Sequence, residues 1–223
     1  MERHFDQETT KINEKLIRMA SIVEEMMRIA VKSLIDRNSS VIDHINPQEK
    51  EINKLQIEID EDVVTLIARM QPVATDLRFL IAASKINSDL ERIADQVINI
   101  GQNTVILLKY PQLKPLVDIP IMADIVQQMM QESLDAYIHK DVAKAQKVLN
   151  SDDKVDALKD QIFRELLTYM ISDPKAIQPA LCLILIARNL ERIGDHSTNI
   201  AEEVIYIVQG RDVRHHHEEQ KRK

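Results

Sequence analysis

The chain is poor in the residues that punctuate β-structure. Its 223 residues include three glycines and seven prolines. A β-rich fold of this length needs many more turn residues, so the fold class is all-α. Tryptophan is absent and aromatics make up 3% of the chain, which leaves no platform for stacking bases. The charge balance is −7, the opposite of the basic stripe that nucleic acid attracts. No run approaches 18 apolar residues, so no membrane span is expected. The polar start, Met1 to Thr10, has no apolar segment of the kind a signal peptide carries. The expected compartment is cytoplasmic, with any contact at the inner membrane made through partners. The single cysteine, Cys182, lies in an apolar run and reads as a small buried hydrophobe.

What is present is helical periodicity. Ile12, Leu16, Met19, Val23, Met26, Met27, Ala30 and Leu34 recur at spacings of three and four, which predicts a first helix from about Phe5 to Arg37. Asn38-Ser39-Ser40 breaks it and caps a short helix through Ile45. Asn46-Pro47 then starts a second helix, with Asn as the cap and Pro at the first helical position. Pro72 interrupts, and a third helix runs to about Leu108.

Tyr110 to Pro120 holds three prolines and reads as a linker at the midpoint. After it come a helix from Ile121 to His139, a short piece from Asp141 to Leu149, and a helix from Ser151 to Ile171. Ser172-Asp173-Pro174 breaks the pattern, and a last helix runs from Ala176 to Gln209, with Gly210 as its stop. Residues 1–110 and 120–209 are therefore expected to be two tandem three-helix bundles, followed by a charged, disordered tail over 210–223. His215, His216 and His217 in that tail read as solvated rather than chelating.

The halves are a duplication. Leu90-Glu91-Arg92-Ile93-Ala94-Asp95, continuing to Asn99-Ile100, returns as Leu190-Glu191-Arg192-Ile193-Gly194-Asp195, continuing to Asn199-Ile200. The offset is 100 throughout, with seven identities in eleven positions, too many for coincidence.

Residues four apart share a helix face, so Glu91 stands beside Asp95 and Glu191 beside Asp195, with Asn99 and Asn199 one turn further. They flank the core stripe of Phe79, Ala83, Ile86, Leu90, Ile93 and Val97. The preceding helices carry a partner strip, Glu49 and Asn53 in the first half and Asp152 and Asp156 in the second. In an antiparallel hairpin, facing residues are equidistant from the turn. Glu49 and Asp95, like Asn53 and Glu91, are centred on Pro72. Asp152 and Asp195, like Asp156 and Glu191, are centred on the Asp173-Pro174 step. The facing oxygens suit hard cations such as iron(II), manganese or magnesium. Like charges at this spacing need an offset, from Arg92 and Arg192, from a neighbouring helix or from a cation, and the competing reading is a salt-bridge network through Arg92 and Arg192. The Glu-x-x-His pattern of di-iron bundles is missing, since Ala94 and Gly194 stand where the histidines belong. No phosphate-binding glycine loop, nucleophile elbow or zinc pattern occurs.

Leu-Glu-Arg-Ile-x-Asp at 90–95 and 190–195, together with Gln71-Pro72-Val73-Ala74-Thr75-Asp76-Leu77-Arg78, resembles the PhoU family over residues 1–209. That resemblance implies two similar three-helix bundles. It also implies multinuclear metal clusters held at Glu49, Asn53, Glu91, Asp95, Asp152, Asp156, Glu191 and Asp195, with iron first and zinc, manganese or magnesium as alternatives. Asn53 departs from the acidic pattern. By the same resemblance the chain is a negative regulator of phosphate uptake and of phosphate-starvation signalling, with the phosphate ABC transporter and a membrane sensor histidine kinase as partners. A homodimer is expected, and an enzyme is not. The competing classes are a carboxylate-bridged metalloenzyme and a metal-free helical adaptor. From charge count alone, the second carboxylate set is expected to hold metal more tightly than the first.

Overall fold

The computed structural model describes residues 2–211 and 213. The three histidines at 215–217, and the tail beyond them, lie outside the described residues. Six long helices follow one another: α1 (Glu2–Ile35), α2 (Val41–Met70), α3 (Thr75–Leu107), α4 (Asp118–His139), α5 (Val142–Ser172) and α6 (Ile177–Gln209). A 3-10 turn at Pro174–Ala176 precedes α6, and no strand occurs among the described residues. No described helix is long and apolar enough to cross a membrane.

Two expected breaks are absent. Pro47 lies inside α2, which runs unbroken from Val41. Proline removes one intrahelical bond, to the carbonyl of Asp43. Asp43 is exposed, so water can satisfy that carbonyl. Ile45 and Ile52, two turns apart, are both fully buried, and only a continuous helix puts them on one face. The pieces around Leu149 and Ser151 are likewise one helix, α5. The Ser151 hydroxyl donates to the carbonyl of Lys147 (3.1 Å) instead of capping a new start. The true cap is Asp141, whose side chain accepts from the backbone N–H of Lys144 (3.0 Å).

The turns that close the two hairpins differ. Gln71 takes a left-handed conformation (φ 47°, ψ 53°), and its N–H donates to the carbonyl of Ile67, ending α2. Ala74 also has positive φ (48°), so the Gln71-to-Ala74 turn is held in a conformation L residues seldom adopt. In the second half Asp173 instead accepts from the Lys175 N–H, and Pro174 opens the 3-10 turn.

Helices α1, α2 and α3 pack on each other, as do α4, α5 and α6, which gives two tandem three-helix bundles. The bundles meet through equivalent helices, α3 against α6 and, to a lesser extent, α1 against α4. Arg78 lies against Gly210, Lys85 pairs with Glu203, and Asp89 pairs with Asn199. The numbers rise on one helix as they fall on the other, so α3 and α6 are antiparallel. The six-residue stripe expected on α3 is buried except for Phe79, which is half-buried and stacks on Tyr137 of α4. One continuous apolar core runs through both bundles and includes Cys182.

Candidate functional site

The two carboxylate strips come together at the level that the hairpin geometry requires. On α6, partial loss of water and then the charges of Glu191, Asp152 and Asp156 push the Asp195 carboxyl up to about 6. All four second-half positions are thus close enough to repel one another, with His196 opposing them. A Cβ placed on Gly194 would meet Asp152 Oδ1 at 3.9 Å, so α5 approaches α6 closely here. On α3, partial burial and then Asp95 raise the Glu91 carboxyl, with Glu49 adding to the effect and Arg92 and His196 opposing it. Asn53 is exposed on the same strip of α2.

Of the candidates for charge compensation, the structure supplies a base on the neighbouring helix rather than Arg92 or Arg192. Among the described residues, Arg192 forms no ion pair within 4.0 Å, and Arg92 acts on Glu91 through space. Lys159 compensates two carboxylates of the second cluster. Its Nζ stands 2.9 Å from Asp156 Oδ1 and 3.1 Å from Glu191 Oε1, with Asp160 Oδ1 at 4.0 Å. The bond to Asp156 above all holds this ammonium above its ordinary pKa. Lys159 lies three residues beyond Asp156 on the same face, a spacing legible in the sequence.

The polar groups between the bundles carry no comparable signal. Asp89 is buried and accepts at Oδ1 from Asn199 (3.2 Å). His196 Nδ1 lies 2.9 Å from the same oxygen. Asn199 therefore turns toward α3 rather than extending the carboxylate strip of α6. One helical turn along, Lys85 Nζ donates to Glu203 Oε1 (2.7 Å) and lies 5.6 Å from the centre of the Tyr206 ring. His196 acts on both Glu91 and Asp195, so the two carboxylate clusters flank the same helix–helix interface.

Among the described residues, no three His, Cys, Asp or Glu side chains converge closely enough, as they stand, to hold a metal ion. The donor type, carboxylate oxygen, is one that hard cations take. Carboxylate oxygens from two adjacent helices meet at one level, and their mutual repulsion raises Asp195 and Glu91.

The fold and the paired strips define a tandem-repeat, all-helical protein with acidic faces at equivalent places. The PhoU domain matches residues 16–104 and again residues 119–204. The chain belongs to the PhoU family. It is 39% identical over 214 residues to the phosphate-specific transport system accessory protein PhoU homolog of Pseudomonas aeruginosa, covering 96% of this chain and 88% of that protein. It is 38% identical to the homolog of Aquifex aeolicus, covering 96% and 97%. The crystal structure of PhoU from Pseudomonas aeruginosa superposes with a TM-score of 0.90 at 38% identity, over 93% of this chain and all (100%) of that one. The phosphate transport system regulatory protein PhoU from Streptococcus pneumoniae shares the fold, with a TM-score of 0.85 over 94% and 99% of the two chains at 24% identity.

Proposed function

We propose that the chain is an accessory regulator of phosphate-specific transport, acting as an adaptor rather than a catalyst. The observation that supports this most is the match of both repeats, over nearly the whole of each chain, to accessory proteins of phosphate-specific transport. In this reading it restrains uptake by the phosphate ABC transporter and quiets phosphate-starvation signalling through a membrane sensor histidine kinase when phosphate is plentiful. The test is a deletion strain grown in phosphate-rich medium, with phosphate uptake and a starvation-response reporter measured. Both are expected to stay high and to return to normal with the gene supplied in trans. Wild-type uptake and wild-type reporter levels, in a strain with no second family member, would refute the reading.

The same proposal places divalent or iron ions on the two acidic faces, Glu49, Asn53, Glu91 and Asp95 on one and Asp152, Asp156, Glu191 and Asp195 on the other. A bound ion would supply charge neutralisation and cross-linking of adjacent helices. The protein's part is to present carboxylate oxygens from α2 with α3, and from α5 with α6, at one height. The support is the crowding of like charges, which costs stability until a cation relieves it. Elemental analysis of protein purified without tag or chelator tests this. Metal is expected in wild type and lost in a Glu91→Gln, Asp95→Asn, Glu191→Gln, Asp195→Asn variant, and metal-free wild type would refute it.

A further inference from the structure

We propose that the groove between α5 and α6 is the docking site for an amphipathic helix of a partner protein, apolar at one end and basic at the other. The proposal rests on the adaptor reading above for the existence of a partner, and it needs no bound metal. It adds the face that the partner takes and the chemistry of the segment that fits there.

Two side-chain stripes line this groove. On α5, Asp152, Asp156, Phe163, Leu167 and Met170 are spaced by three, four or seven residues and share one flank. On α6, Ile177, Leu181, Ile184, Arg188, Glu191 and Asp195 do the same. Around the Asp173-Pro174 turn, Met170 stands level with Ile177, and Phe163 with Ile184. The half of the groove nearest the turn is therefore apolar, and it is open to water. Phe163 is 46% exposed, Leu181 40%, Ile177 48%, and Ile171 on the rim 83%. Apolar surface gathered in this way marks an interaction site. The first repeat differs at the same level. In the register that matches buried Ile59 with buried Ile162, Asp60 stands where Phe163 does, and Ser84 stands where Ile184 does. The Ser84 hydroxyl donates to Asp60 Oδ1 (3.0 Å) and ties α2 to α3. Phe163 and Ile184 put apolar surface in place of that internal bond.

The far end of the groove decides what covers this surface. There the stripes carry the carboxylates of Asp152, Asp156, Glu191 and Asp195, which outnumber the bases Lys159 and Arg188. The ammonium of Lys159 is already held between Asp156 (2.9 Å) and Glu191 (3.1 Å). A second copy of the chain would bring the same acidic end and a net charge of −7, so two copies repel. An anionic lipid surface is repelled for the same reason. A helix with apolar residues at spacings of three and four in one half, and Lys or Arg in the other, satisfies both ends at once. From Asp152 to Ile171 the α5 stripe runs for about 28 Å, which a partner helix of roughly 20 residues spans.

The experiment pans a phage-displayed library of peptides of about 20 residues on the full chain, in chelator so that no cation competes for the acidic end. Binders to a Phe163→Ser, Leu181→Ser variant are removed first. The selected peptides are expected to carry helix-spaced apolar residues in one half and Lys or Arg in the other. One of them, labelled with fluorescein, is then titrated by anisotropy. Phe163→Ser with Leu181→Ser should weaken binding by about tenfold or more. Ile171→Ser alone, at the most exposed position, should weaken it by about threefold, which guards against a folding defect in the double variant. Glu191→Gln with Asp195→Asn should weaken it by about fivefold and flatten its salt dependence. Val64→Ser with Ile81→Ser, at the same level of the first repeat, should leave it unchanged. No peptide enriched over the variant, selected peptides without a basic half, or binding that survives loss of Phe163, Leu181 and Ile171 would overturn the proposal. A wild-type dimer dissociated by the Phe163 and Leu181 substitutions, or phosphatidylglycerol vesicles bound through those residues, would give the face to another occupant and overturn it too. None of these results alters the deletion phenotype, so the docking face can fall while the accessory reading stands.

Discussion

Replacing Asp195 by asparagine should stabilise the metal-free protein, although it deletes a charged residue beside a lysine-bridged cluster. The Asp195 carboxyl is raised from 3.8 to about 6, first by loss of water and then by Glu191, Asp152 and Asp156. A group whose pKa is higher folded than unfolded binds protons better in the native state. Its ionisation therefore opposes folding. Stability falls as pH rises from about 4 to about 6, and the full penalty persists above that. The interval from 3.8 to about 6 corresponds to about 3 kcal/mol at most. Asp195 is exposed, and water and salt screen much of this, which leaves on the order of 1 kcal/mol. Asparagine keeps the shape and removes the charge. Urea unfolding in chelator at pH 7.5 should show Asp195→Asn more stable than wild type by about 1 kcal/mol, and the gain should shrink to roughly a third at pH 4.5, where the native carboxyl is already protonated. Added salt at pH 7.5 should shrink it too. A variant that is less stable at pH 7.5, or whose gain is the same at both pH values, would show that Asp195 does not suffer the crowding described.

Three further outcomes follow from the packing. Ile93→Ala, at a fully buried position on α3, should cost about 2–5 kcal/mol in urea unfolding, and a loss under 1 kcal/mol would contradict its place in the core. Asp141→Ala removes the side-chain acceptor for the Lys144 N–H and should cost about 1 kcal/mol, whereas Asp141→Asn or Asp141→Ser should cost less than half of that. Lys85→Ala leaves the Glu203 carboxylate, 6% exposed, without its ammonium between the bundles. It should cost about 2 kcal/mol, and Lys85→Ala with Glu203→Gln should recover part of the loss in a double-mutant cycle.

The sequence by itself determined the helices, the repeat and the level of the carboxylates. Those follow from local rules: a spacing of three and four for a buried stripe, an offset of 100 for the duplication, and equal distances from a turn for facing residues. The hairpin centres at Pro72 and Asp173-Pro174 were legible because nothing in a straight antiparallel pair disturbs the count. Tertiary structure decided what local signals could not. Pro47 reads as a helix start, yet burying Ile45 and Ile52 on one face outweighs a single lost backbone bond and carries α2 through it. Asp89, His196 and Asn199, like Lys85 and Glu203, lie more than a hundred residues apart and meet only because equivalent helices of the two repeats pack antiparallel. The partner of the second carboxylate cluster was decided in the same way. Arg92 and Arg192 are the adjacent bases in the chain, but Lys159, on the neighbouring helix and three residues from Asp156, is the one whose stem crosses the α5–α6 groove to Glu191.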